Sequence, residues 1–489
     1  MIRRSMTFPR RFLLVAALLL LAAVCAAYAP YAGNGFKQDD FGWVASSRVR
    51  QLSDWPALFA RNTGFYRPAV AITFSLDELL FGMKPLGYGL TNLALLVACL
   101  LAIAGLARSL DLPPGAALAA GGIWALNLQG INMAVVWTSG RTALVLVLFA
   151  ALAARAFARG HRVAAAVFTL LALLSKEEGV MLPVLLFAWA GLPALSPVTR
   201  RDQGSGIRGA IADPDARTGA IFCWRRAVRA TWPLLLPLAV YAALRYFSGA
   251  FGPLSAPPYY RMTLAPSKVA DNAIKYLDFA ATWPAALVAL AAALAGVVPR
   301  ASQREGRIVW LGCIWLVAGY AVTVFLPIRS PLYACFPAVG AALAASALLS
   351  AVWLRSSARA RFRLAVVALV LPFALLPVYW ARNVRHAKGA RLSAQWLHDL
   401  EAARPQIPAN ALVVLLDDPR LPPTERLPAA FGTLYDIAVR DTLGRPTQSW
   451  MEPPPNGWEL SGLRRPDPAA KRVVFALRDG HLVRVAGDR

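Results

Sequence analysis

The sequence predicts an all-α, multi-spanning membrane bundle of about eleven helices, followed by a small C-terminal α/β domain, on three observations. The 489 residues are 58% hydrophobic and 16% charged, too little charge to cover a soluble surface of this size. The apolar residues gather into runs of about 17–25, the length that crosses a hydrocarbon core. The net charge of +25 comes from arginines clustered between those runs, the distribution that topology requires of a membrane protein. A nucleic-acid binder would instead collect them in one patch or an aromatic-studded groove.

Taken in order, the apolar runs lie near residues 12–31, 87–107, 114–131, 142–158, 163–174, 179–195, 231–248, 279–298, 308–327, 332–353 and 364–381. Basic clusters occur at Arg3–Arg11, Arg155–Arg162, Arg200–Arg229, Arg300–Arg307 and Arg355–Arg363. Counting helices places all five on one side, so the N-terminus is expected in the cytoplasm and the C-terminus outside. The expected location is a bacterial-type inner (plasma) membrane. Met1–Ala29 shares features with a signal peptide, but its apolar run exceeds the usual length, which favours an uncleaved first span.

The first external segment, residues 33–86, is too long for a turn; Pro56–Arg61 and Arg67–Gly82 read as amphipathic helices lying on the membrane. A second, residues 249–278, holds Pro257-Pro258-Tyr259-Tyr260 and a polar helical stretch with Asn272 and Lys275. The composition changes after Trp380, giving an expected transmembrane domain at 1–383 and an external α/β domain at 384–489. In the latter, Arg391–Ala403 reads as a helix and Ala411–Leu416 as a buried strand. Arg472–Leu477 and His481–Val485 flank a hairpin turn at Asp479-Gly480. Asp417-Asp418, after the strand, reads as a loop. The five cysteines have no paired spacing, which argues against a disulfide framework or a zinc site. The sequence has no Gly-rich phosphate loop and no Gly-x-Ser-x-Gly elbow.

Ionisable residues at a membrane edge are costly and usually have a task. Those on the expected outer side are Asp39-Asp40, Arg67, Arg141, Lys176-Glu177-Glu178 and Arg329. Asp39-Asp40 reads either as a solvated helix start or as a pair in which one carboxylate serves as general base. The cations read either as interface anchors or together as a phosphate clamp. Glu177 and Glu178 read as partners of those cations, or with the aspartates as ligands of a divalent cation such as Mg or Mn. A sugar phosphate departs as a stabilised anion and needs no acid, so one base with several cations suits glycosyl transfer from a lipid-phosphate sugar.

Six groups of residues come in one order over the first 340 residues. They are Asp39-Asp40-Phe41-Gly42, Tyr66-Arg67-Pro68 leading to Phe81-Gly82, and Gly87-Tyr88 followed by Thr91-Asn92. Then come Trp137-Thr138-Ser139-Gly140-Arg141, Ser175-Lys176-Glu177 with Pro183, and Arg329-Ser330-Pro331-Leu332-Tyr333 before Pro337 and Gly340. The set resembles the polytopic GT-C glycosyltransferases, most of all the protein O-mannosyltransferases and the transmembrane O-mannosyltransferases that carry tetratricopeptide repeats. The resemblance implies inverting transfer of a sugar from a polyprenyl-phosphate donor to a protein, lipid or glycan acceptor on the non-cytoplasmic face. It implies Asp39 or Asp40 as base. Arg67, Arg141, Lys176 and Arg329 would bind the donor phosphate or the site's carboxylates, with Asn92, Glu177, Glu178 and Tyr333 organising the site. The chain departs from the family's pattern at Gly89, where a His is common three residues before Asn92, and at Leu128-Gln129, where His-Pro is common. A tetratricopeptide array does not follow the membrane part.

Two other functions are compatible with a membrane chain. A polysaccharide polymerase or ligase acting on lipid-linked glycans would use the outer arginines rather than a carboxylate base. A transporter or flippase would be expected to show inverted repeats and charges at the midplane, whereas here the charges sit at one edge.

Overall fold

The computed structural model describes residues 10–60, 65–192, 222–250, 260–456, 458–461, 463–467 and 470–485. Arg3, Arg4 and Arg61, the loop arginines from Arg200 to Arg217, and Pro257–Tyr259 fall outside these residues. Every expected apolar run is occupied by helix. The helices are α1 (Arg10–Tyr28), α2 (Asp39–Ser46), α3 (Ala57–Ala60), α4 (Pro68–Phe81), α5 (Pro85–Ser109), α6 (Pro114–Ala125), α7 (Ile131–Val136), α8 (Arg141–Ala158), α9 (Arg162–Leu173) and α10 (Met181–Gly191). They continue as α11 (Trp224–Thr231), α12 (Leu235–Phe247), α13 (Pro266–Leu277), α14 (Trp283–Ala295), α15 (Gln303–Tyr320), α16 (Pro337–Arg355), α17 (Ala358–Ala374) and α18 (Leu376–Ala402).

Among the described residues, seven helical segments are long and apolar enough to cross a membrane, fewer than the eleven runs. The difference has local causes. Helices α6 and α10 have 12 and 11 residues, and α9 has 12. Helix α15 spends its first turns on charge, with a capping box from Ser302 to Glu305. The expected polar stretch near Asn272 and the span near 279–298 are one continuous helix, Pro266–Ala295, joined by a π-helical turn at Asp278–Thr282.

Short helices leave carbonyls without intrahelical partners, and a bilayer offers no water to satisfy them. Large side chains from neighbouring helices do so. Tyr379 Oη donates to Leu126 O at 2.6 Å, beyond the end of α6. Trp124 Nε1 donates to Cys335 O and Trp315 Nε1 to Phe336 O, both at 2.9 Å, in the turn that precedes α16. Helices α15 and α16 pack backbone to backbone, since a β-carbon on Gly312 would lie 2.4 Å from Gly340 O.

Helix α18 runs unbroken through the expected boundary at 383–384. It joins the bundle to a C-terminal α/β unit of α19 (Leu427–Phe431), α20 (Tyr435–Leu443) and four strands. The sheet order is β2-β1-β3-β4: β1 (Leu412–Leu416) lies parallel to both β2 (Gln448–Glu452) and β3 (Arg472–Arg478), and β4 (His481–Val485) is antiparallel to β3. The hairpin turn falls on Asp479 (φ 51°) and Gly480 (φ 81°), as its sequence dictates. Strand β2 has no apolar run or alternation to announce it, and it forms because β1 supplies a parallel partner.

The expected surface helix Arg67–Gly82 is α4, but it is not amphipathic in the ordinary sense. It buries Asp77 and exposes Leu76, Leu79 and Leu80. Gly340→Val is expected to force α15 and α16 apart and to cost about 1–3 kcal/mol by overpacking. A lower midpoint of thermal unfolding in detergent would register it.

Candidate active site

The charged residues singled out in the sequence gather at the end of the bundle where α1 leads into α2. Asp40 is 1% exposed. Its Oδ1 accepts from Ser139 N at 2.7 Å and from the Ser139 hydroxyl, and its Oδ2 accepts from Lys37 N at 2.9 Å. Burial pushes its pKa up to about 6, against these donors and the charge of Lys37. Asp39 is different. It remains solvent-exposed, yet surrounding protein withdraws enough water to raise its pKa against the pull of Arg67 and Lys37. That combination describes a carboxylate in a recess. Of the adjacent pair, one oxygen set is spent on structure and the other is open.

Ser139 belongs to the turn Thr138–Gly140, which ends as α8 begins. Gly140 is needed there because a β-carbon would lie 2.7 Å from Ala134 Cα. The next residue, Arg141, has 0% exposure. It pairs with Asp77 at 2.6 Å and donates to Asn92 Oδ1 (3.0 Å), Tyr88 O (3.0 Å) and Thr73 O (3.3 Å). Its guanidinium also lies over the Phe74 ring at 4.2 Å. Asn92 in turn donates to Val135 O and Trp137 O at 3.2 Å and to Thr138 O at 3.3 Å, and Thr91 donates to Asp77 Oδ1 at 2.6 Å. Arg141 and Asn92 thus tie α4, α5 and the Trp137–Arg141 turn into one block.

The remaining cations are also paired. Arg67 forms an ion pair with Glu177 at 2.6 Å, and Arg245 reaches the same carboxylate at 3.9 Å. Burial would raise Glu177, but Arg67 and Arg245 hold its pKa below the usual value. Lys176 pairs with Glu178 at 2.7 Å and lies over the Tyr333 ring at 4.8 Å. Arg329 is exposed, donates to Asn272 Oδ1 at 2.8 Å and pairs with Asp271. Tyr333 stands in electrostatic reach of Tyr260, Glu178, Tyr276 and Arg67, which closes the ring of groups around the recess.

Two expectations change. The cations are not a bare clamp, because each is matched to a carboxylate distant in sequence. Glu177 and Glu178 do not converge with the aspartates on a divalent-cation site; they turn to Arg67 and Lys176. Among the described residues, no group of three or more His, Cys, Asp or Glu side chains is placed to hold a metal ion.

Sequence reasoning missed Lys37, Asp77, Asp271 and Arg245. Arg245 closes an apolar run just as Arg141 opens one, so the same edge-charge rule would have found it. The departures from the family pattern have physical reasons. A β-carbon on Gly89 would lie 2.1 Å from Ala32 O, so no histidine fits. Gln129 instead bridges helices, donating to Asp278 Oδ2 at 3.2 Å and accepting from Arg382 at 2.8 Å. Open grooves beside His161–Phe168 and Ala358–Arg363 follow single helices at the opposite end and hold no comparable constellation.

No family model and no curated protein matches the sequence. Among solved structures, the chain is similar to the oligosaccharyltransferase of Archaeoglobus fulgidus tethered to an acceptor peptide, at 12% identity and a TM-score of 0.48 over 90% of this chain and 64% of that one. It is similar to ArnT from Cupriavidus metallidurans bound to undecaprenyl phosphate, at 14% identity and a TM-score of 0.49 over 88% and 85% of the two chains. It is also similar to the Archaeoglobus fulgidus oligosaccharyltransferase in complex with Zn and sulfate, at 13% identity and a TM-score of 0.47 over 89% of this chain and 62% of that one. The chain thus spans less than two thirds of the oligosaccharyltransferase structures it matches.

Two outcomes are expected of this geometry. Asp77→Asn leaves Arg141 buried without its counter-charge and should cost about 3–5 kcal/mol, seen as loss of the monodisperse species in size-exclusion chromatography. Asp40 holds its proton more readily folded (about 6) than unfolded, where a carboxylate titrates near about 4. Its stabilising contribution is therefore full below about pH 4 and lost as the pH rises through about 6. Thermal unfolding of the wild type should show that decline across the window, and Asp40→Asn should flatten it.

Proposed function

We propose that the protein is an inverting membrane glycosyltransferase that moves a sugar from a polyprenyl-phosphate donor to an acceptor hydroxyl, with Asp39 as general base. The observation that carries the reading is the division of labour within Asp39-Asp40. Asp40 is consumed by Ser139 and Lys37, while Asp39 remains open in a recess beside Arg67. The acceptor oxygen attacks the anomeric carbon from the face opposite the phosphate and gives its proton to Asp39. The anomeric C–O bond breaks with its electron pair on the departing phosphate. No acid is required, because that phosphate leaves as an anion.

Stabilising the anion falls to cations. Arg67 and Arg245 share the one carboxylate of Glu177, which leaves positive charge over at this point. Lys37 adds another, with its Nζ donating to the His386 carbonyl at 2.7 Å. Arg67, Arg245 and Lys37 are the phosphate-facing group in this reading, Lys176 and Arg329 flank it, and Arg141 organises the block behind it. Orientation is part of the proposal: the basic loops lie in the cytoplasm, and the recess and the C-terminal unit lie on the outer face of a bacterial-type inner membrane.

The test compares lipid-linked sugars and surface glycans in deletion cells complemented with wild type or with Asp39→Asn. Loss of general-base catalysis should reduce transfer by about 10²–10⁴-fold and leave lipid-linked sugar accumulating, with normal protein levels. Full complementation by Asp39→Asn would overturn the assignment; if Arg67→Ala were inactive at the same time, a polymerase or ligase without a carboxylate base would replace it. A base works only when deprotonated, so transfer by the wild type should rise with pH through the elevated pKa of Asp39 and then level off.

A further inference from the structure

The residue that precedes the two aspartates has a backbone conformation its side chain disfavours. Gln38 lies at φ 48°, ψ −120°, in the left-handed half of conformational space where glycine is at ease and other residues are rare. Such a conformation persists only where its surroundings impose it. Here the C-terminal unit imposes it. Gln38 N donates to Ala430 O at 2.7 Å and Gln38 Nε2 donates to Ala429 O at 3.1 Å.

Both carbonyls belong to α19, and α19 is itself anchored to the sheet. Asp417, directly after β1, accepts from Leu427 N at 3.1 Å and from Arg426 Nε at 2.8 Å. The contacts continue along α2. Phe41 meets Phe431 at 6.1 Å between ring centroids, and Leu434 lies against Gly42, where a β-carbon would come within 3.0 Å of it. Arg48, just past the end of α2, pairs with Asp441 on α20 at 2.7 Å. Helix α2 is therefore held from β1 outward through Asp417, α19 and Gln38.

We propose that the C-terminal unit sets the position of the carboxylate helix, and that Gln38, gripped by the 429–430 carbonyls, is a positioning residue that fixes Asp39 in its recess. The inference rests on the base role given to Asp39, but its test does not depend on transfer. The same arrangement gives Asp417 a task that its sequence context hides. The unit acts on the site through α2 rather than by presenting an acceptor.

The test uses the full-length protein in detergent micelles and a hydrophobic carbodiimide, which modifies protonated carboxyl groups. Modification of Asp39 is followed by peptide mass spectrometry from about pH 4 to 8. The charged groups facing Asp39 are Lys37 and Asp40 on its own segment and Arg67, with Glu177 behind it; none is altered. Gln38→Gly accommodates the backbone angle and keeps the N–H bond while losing the side-chain grip, so it is expected to fold. Asp417→Ala loosens α19 from the far side. Both should let Asp39 relax toward water, moving the midpoint of its modification to lower pH by about half a unit or more and lowering transfer about ten-fold or more through misplacement. A purely structural contribution would lower thermal stability and leave the Asp39 midpoint where it is. An unchanged midpoint in Gln38→Gly and in folded Asp417→Ala would overturn the proposal. Activity in Asp39→Asn with a shifted midpoint in Gln38→Gly would overturn the base assignment alone.

Discussion

A guanidinium with no exposed surface sits at the centre of this end of the molecule. Arg141 is worth its desolvation only because Asp77 neutralises it and three backbone or amide oxygens take its remaining N–H groups. Those partners come from α4 and α5, and Asn92 passes the constraint to the turn that carries Ser139. Ser139 in turn fixes Asp40, and Asp40 fixes the start of α2. Each charged group at this end is placed by the one before it, and the sequence ends at Asp39, which is left open.

Pairing explains how so many cations coexist in a small volume. Arg67 with Glu177, Lys176 with Glu178 and Arg329 with Asp271 are nearly neutral units. Unpaired, each would repel the others and pay for its own dehydration. A matched site can still favour an anion wherever the match is uneven, and Arg245 makes it uneven by joining a carboxylate that Arg67 already occupies.

Much of this end could be read from the sequence because edge charges on apolar runs are rare and therefore conspicuous. Asp39-Asp40, Arg67, Arg141, Lys176-Glu177-Glu178 and Tyr333 were found that way, and the structure brings them to one region. Their partners could not be found by spacing. Arg67 and Glu177 are 110 positions apart, and Arg48 and Asp441 are 393 apart, so nothing local relates them. The same reasoning fails for β2, whose residues show no strand pattern and become a strand only against β1. It also cannot divide adjacent aspartates into one buried and one open, since that depends on Ser139, which is 99 positions away.

Helix α18 carries a further consequence. Its 27 residues form one rod from inside the bundle to the base of the sheet, about 40 Å at 1.5 Å per residue. The clamp on α2 hangs from the far end of that rod. Each residue in a helix also turns its successor by about 100°, so the length of α18 is an angular setting as well as a distance. Adding or deleting one residue would swing the sheet a quarter-turn or more around the bundle axis and carry α19 away from Gln38. Substitutions along the rod's exposed face can accumulate, but its residue count is fixed as strictly as the teeth of a gear.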